Sequence, residues 1–155
     1  MKAFIVMVAL FASANAAQAD GFKCQTLDGD LSIKAYNHTD ASEGTRTGAV
    51  MVLSDPAVSS GRKTIARFTD VNGVLTSQGA RYTANVDLRF NDSKRKGELI
   101  LGTKLGELDQ VIVSVDFTYG QNLEKGEMTS GEITLVKRNG KKIHSELECE
   151  RYLKN

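Results

Sequence analysis

Few side chains in this sequence carry chemistry: it has two histidines, two cysteines and no tryptophan. His144 alternates with Glu146 and Glu148 in "KIHSELECE". On a strand, period-two spacing puts the imidazole and both carboxylates on one face, where acid–base chemistry would be open to them. A solvated strand face has the same spacing, so an enzyme built on His144 stands as an alternative. His38 lies in a polar stretch, "NHTDASEGTRT", with no partner in sequence. Asp28-Gly29-Asp30 lacks the ligand spacing of a calcium loop and reads as a tight turn. The chain has no Gly-x-Ser-x-Gly elbow, no His-Glu-x-x-His and no glycine-rich phosphate loop. No catalytic residue, metal or cofactor is expected.

The cysteines speak to compartment. Residues Met1 to Ala19 read as a secretory leader. Lys2 is its positive start, Ala3 to Ala12 its short apolar run, and Ala17-Gln18-Ala19 its small-x-small cleavage site. The expected mature chain starts at Asp20, a single domain over 20–155, exported to the periplasm or secreted. Export favours oxidation, and two cysteines allow one pairing, Cys24 with Cys149. Closing so long a loop contributes about 4–5 kcal/mol on the chain-entropy model. Removing the leader takes away one of 20 basic residues and leaves 19 acidic ones, a net charge of zero. That excludes nucleic acid as a partner recognised by bulk charge.

The elements that position these residues are strands. Period two recurs throughout, punctuated by turn signals. In "ARYTANVDLRF", Ala80, Tyr82, Ala84, Val86, Leu88 and Phe90 share one face; Arg81, Asp87 and Arg89 lie on the other. In "VIVSVDFTY", Val111, Val113, Val115 and Phe117 line one face and Asp116 the other. Asn72-Gly73 signals a hairpin, and Gly97 to Leu105 reads as a further strand. At Asn139-Gly140 the register has two options. A two-residue turn would bring Glu132 to the core face. A glycine-bulged turn pairs Lys137 with Lys141 and Leu135 with Ile143, and keeps that carboxylate in water. Burying it unpaired would cost several kcal/mol, so the bulged turn is expected.

The result is an antiparallel meander of eight to ten strands. Its first and last strands are raw edges, and they carry Cys24 and Cys149. A sheet that curls into a small calycin-like β-barrel makes these strands neighbours and lets the disulfide seal the seam. A two-sheet β-sandwich is the second choice. Two segments reach membrane length, but aromatics are few and form no girdles, so no membrane insertion is expected.

Two surface features suggest binding. Arg81, Asp87 and Arg89 share a strand face, with Asp116 on a strand expected two positions away. Basic clusters, Lys94-Arg95-Lys96 and Lys137, Arg138, Lys141 and Lys142, sit at loop tips. They suit an anionic cell-wall polymer or an acidic partner, or simply solubility. Finally, "LTSQGARYT" resembles the Ser-Gly-x-x-Tyr loop of the periplasmic C-type lysozyme inhibitors, small exported barrels with a terminal disulfide that insert this loop into the lysozyme cleft. The resemblance implies binding roles for Ser77, Gly79, Arg81 and Tyr82, although Gln78 interrupts the motif here. Lipocalins and avidins rely on barrel tryptophans, which this chain lacks. The expectation is a non-catalytic, monomeric exported barrel that binds a protein partner at its loop tips or a small ligand inside. Arg89 joins the candidate binding residues. Inhibition of lysozyme or another hydrolase is the alternative.

Overall fold

The computed structural model describes residues 19–39, 47–57, 63–76, 79–86, 96–116 and 124–154. The leader, apart from Ala19, lies outside them. The strands are β1 (Ala19–Thr26), β2 (Ser32–Thr39), β3 (Thr47–Asp55), β4 (Lys63–Thr76), β5 (Gly79–Asn85), β6 (Leu99–Ile100), β7 (Thr103–Lys104), β8 (Leu108–Asp116), β9 (Met128–Lys137) and β10 (Lys142–Lys154). Eight of them close into an antiparallel barrel in the order β1-β10-β9-β8-β5-β4-β3-β2. This is the barrel, not the sandwich. Closure comes from β1 pairing with β10 from Ala19↔Lys154 to Thr26↔Leu147. Cys24 lies opposite Cys149 in that ladder, and the two form the expected disulfide. The bond points to an oxidising, exported environment.

Alternation sets inside from outside. Ala80, Tyr82 and Ala84 on β5 and Val111, Val113 and Val115 on β8 are buried, while Arg81 and Asn85 are exposed. With eight strands, the interior is just wide enough for side chains to fill it. Phe22, Ile33, Met51, Leu53, Phe68, Ile133, Leu135 and Leu147 join them in one core. The β9–β10 hairpin takes the bulged register. Ile143 faces Leu135 and Leu147 faces Gly131. Gly140 has φ +84°, and the Lys137 N–H donates to the Lys141 carbonyl at 2.8 Å. Glu132 is on the wet side, as the cost of burying it requires.

Two expectations fail. Asn72-Gly73 is not a hairpin: β4 runs through it without interruption. The local turn preference loses to pairing on both sides. Val71 pairs with Ala49 of β3, and Gly73 with Tyr82 of β5. A Cβ on Gly73 would lie 2.3 Å from Asn37 Oδ1, 2.9 Å from the Ala49 Cβ and 3.2 Å from the Tyr82 ring. The glycine leaves the space that the tyrosine and its neighbours occupy. Upstream, register shifts against β3 bend β4 around the barrel.

Gly97 to Leu105 is not a barrel strand either. Its Leu-Ile pair makes the short ribbon β6–β7, followed by one 3-10 turn at Leu105–Glu107. This segment closes one end of the barrel. Ile100 and Leu105 join the core, Lys63 pairs with Glu98 at 3.1 Å, and Lys137 pairs with Glu107 at 2.9 Å. Arg138 donates to the Gly106 and Val86 carbonyls. Half of the basic cluster at the last hairpin is therefore engaged in holding the plug. Since the ribbon leaves the ring, β5 pairs directly with β8, and Asp116 lies one strand from Arg81 rather than two.

Two substitutions test this account. Cys24→Ser with Cys149→Ser should lower stability by about 2–5 kcal/mol, read as a drop in urea midpoint; an unchanged midpoint would refute the seam. Gly73→Val should cost about 1–3 kcal/mol by overpacking, with a loss of near-ultraviolet dichroism as Tyr82 is displaced.

Candidate functional site

The barrel end opposite the plug is where β4, β5 and β8 meet at Gly79. Gly79 begins β5, with Thr76 of β4 on one side and Asp116 of β8 on the other. Two pairs further in, Val74, Arg81 and Ser114 form a row across the outer wall. The bare glycine leaves an open recess of about 210 Å³, with Val74, Gly79, Arg81, Ser114 and Asp116 in its lining. A Cβ on Gly79 would meet the Val115 carbonyl oxygen at 2.7 Å, so the floor is backbone by necessity. Arg81 and Asp116 are diagonal neighbours, about 7–8 Å apart in such a ladder. They flank the recess with opposite charge, and both are exposed.

The binding residues implied by the resemblance separate here. Gly79 and Arg81 line the recess. Tyr82 points the other way, 1% exposed, against Gly73 in the core. Strand alternation forces this, because neighbours on a strand face opposite sides. A surface role for Tyr82 is thus corrected to a core role. Ser77 and Arg89 lie outside the described residues, as do Gln78, Asp87 and the Lys94-Arg95 pair. Val74 and Ser114 were not foreseen. Only the direct β5–β8 pairing brings Ser114 beside Arg81, and the expected intervening strand concealed that.

Comparison with family models, curated proteins and solved structures gives no match for this chain.

The second constellation surrounds His144 on the outer wall of β9 and β10. His144 Nδ1 lies 3.0 Å from Glu132 Oε1, and the Thr134 hydroxyl donates to the same oxygen at 3.1 Å. Thr134 Oγ1 is also 3.0 Å from Nδ1. A proton relay needs hydroxyl and carboxylate at different imidazole nitrogens. Both sit at Nδ1, so the ring cannot pass a proton between them. The side chains of His144 and Glu132 are 53% and 52% exposed, on the outer wall of the barrel. His38 is on β2, its side chain outside the described set. Asp28 Oδ1 accepts the Asp30 N–H at 3.1 Å, which makes Asp28-Gly29-Asp30 the expected turn. Among the described residues no group of three or more His, Cys, Asp or Glu could hold a metal ion.

The contact with His144, and then the Thr134 hydroxyl, holds the Glu132 carboxyl below its ordinary value of 4.5. A depressed carboxylate pKa stabilises the fold above the unfolded value, and the contribution is lost as pH falls through the folded one. In water-exposed surroundings this amounts to less than about 1 kcal/mol. His144→Ala should therefore raise the Glu132 titration midpoint, followed by carboxyl carbon resonances. It should shrink the stability lost on acidification from pH 5 to pH 3. An unmoved midpoint would refute the contact.

Proposed function

We propose that this chain is a non-catalytic exported β-barrel that binds a protein partner at the end of the barrel where β4 meets β5. The plug carries the reading. With β6–β7 drawn across one end by Arg138, Lys137 and Lys63, the opposite end is left for binding. The core supports a protein partner over a small ligand inside, since inward side chains such as Tyr82, Met51 and Ile133 pack against one another. The Gly79 recess, with Arg81 and Asp116 on its flanks, offers a partner one cation and one anion around a backbone floor.

The exposed setting of His144 favours the non-catalytic reading. Arg67, Arg81, Glu132 and Glu148 are exposed on the outer wall, the reverse of a lipid-facing barrel. Among the described residues no helix is long and apolar enough to cross a membrane. Closure leaves the eight barrel strands without a free edge for self-pairing, which favours a monomer in the periplasm or outside the cell. A hydrolase, lysozyme in particular, is the specific alternative for the partner, because Gly79 and Arg81 of the inhibitor-like segment do line the recess.

The test is capture from the exported fraction and from a lysozyme panel, comparing the native chain with Arg81→Glu. Capture of a protein that falls at least about tenfold with Arg81→Glu is the expected outcome. Capture that ignores this substitution would move binding elsewhere. Slowed lysozyme turnover would identify the inhibitor. A small molecule retained in native mass spectrometry, with no protein captured, would overturn the reading in favour of a ligand barrel.

A further inference from the structure

The plugged end of the barrel carries more cations than the plug uses. Lys137, Arg138 and Lys63 hold the plug in place. Lys96, Lys104, Lys141 and Lys142 are exposed beside them and occur in none of the ion pairs among the described residues. They belong to one surface. A Cβ on Gly106 would meet the Lys96 Cβ at 3.4 Å, and Arg138 Nε donates to the Gly106 carbonyl at 3.3 Å. Lys104 precedes this glycine by two residues, and the Lys141 carbonyl accepts the Lys137 N–H. Over Lys63, 96–109 and 137–142, seven cations meet three carboxylates, Glu98, Glu107 and Asp109, so this surface is positive on a chain of net charge +1. The other acids of this end lie across it, Asp28 and Asp30 on the β1–β2 turn and Asp55 at the end of β3.

The plug ribbon sets leucine among these cations. Leu99 is directly across the ribbon from Lys104 and is 55% exposed. The next pair, Ile100 and Thr103, is the one turned inward. The turn residues are Leu101 and Gly102, with φ of +49° and +74°. Left-handed backbone at both central positions suits Asn-Gly, not a leucine. Leu101 takes that conformation at a cost, and its packing against the core leaves it only partly buried. Folding alone has no use for Leu99 and would favour asparagine at 101. Leu27, also exposed, lies in the acidic half beside Asp28 and takes no part. An apolar tip between lysines without counter-charges is what an interfacial segment presents. Its apolar side chains enter the headgroup boundary, and its ammonium groups stay among the phosphates.

We propose that the plugged end docks on an anionic lipid surface, with Leu99 in the headgroup boundary and Lys96, Lys104, Lys141 and Lys142 on the phosphates. A soluble polyanion would engage the lysines and leave Leu99 in water; a bilayer takes both. The docking is peripheral, with no strand crossing the bilayer. The Gly79 recess, at the opposite end, stays open to solvent, and this surface does not depend on it.

Cosedimentation of the oxidised, exported protein with phosphatidylglycerol–phosphatidylcholine vesicles provides the test, with pure phosphatidylcholine as the counterpart. Partition into the anionic vesicles alone is expected, falling as salt rises. Lys104→Gln with Lys141→Gln should weaken it at least about tenfold, while Lys23→Gln with Lys125→Gln, equal in charge change and away from the plug, should not. Leu99→Gln, at an exposed position, should weaken it about fivefold. Four results would overturn the proposal: no partition at low salt, equal partition into neutral vesicles, equal loss in both double variants, or undiminished partition of Leu99→Gln, which would assign the lysines to a soluble polyanion.

Discussion

Everything in this molecule depends on the ladder between β1 and β10. These strands stand at the two ends of the domain in sequence, and their pairing converts an open meander into a ring. The encounter is entropically costly, because the ladder gives nothing back until the intervening chain is in place. The Cys24–Cys149 bond, across a separation of 125 residues, removes much of that cost by restricting the unfolded chain. The interior makes room for it. Gly131 of β9 lies against Cys149, where a Cβ would approach the sulfur to 3.1 Å and the Ser114 carbonyl oxygen to 2.6 Å. Both cysteines are buried, so the bond is part of the core as well as a staple.

Closure also imposes a strict division of labour on each strand. Once the ring exists, an inward position has no alternative to packing and an outward one no alternative to water. This is why Arg81 and Tyr82, adjacent in sequence, serve unrelated ends. It is also why β4 needs irregularities. Its buried residues fall at Ile65, Ala66, Phe68 and Val71, and the adjacent first pair and the step of three between the last two are changes of phase. Without them, Gly73 would not face Tyr82, and the tyrosine would have no space.

Much of this could be read from sequence because the relevant physics is local or topological. The β9–β10 register followed from the cost of burying Glu132, and the seam followed from two cysteines on two raw edges. The failures share a cause. Asn72-Gly73 is a strong turn signal in isolation, but β3 and β5 both claim this stretch. Leu99-Ile100-Leu101 is apolar enough for a buried strand, yet only Ile100 is fully buried, over the end of the barrel. Neither outcome is encoded within a short window, and the second hid the β5–β8 contact that forms the recess. In the segment resembling the inhibitor loop, Gly79 and Arg81 line the recess, while Tyr82 lies in the core, where the period-two pattern assigned it.

The outer wall shows how a chain of net charge +1 can still present specific charge. On β9 and β10, Glu132 lies directly opposite Glu146, an arrangement that costs stability, and the His144 contact offsets it. On β1 and β2, Lys23 lies opposite Lys34, and the Tyr152 ring lies beside both ammonium groups. A sequence selected for stability alone would exchange one member of each pair, since an outward position places no demand on sign. The Glu132 pair has a side-chain partner within the fold, the His144 imidazole at 3.0 Å. The lysine pair has Glu150 directly across the β1–β10 ladder from Lys23, together with a ring that attracts both cations. A carboxylate on one side and an aromatic face on the other thus hold two like charges in adjacent strands.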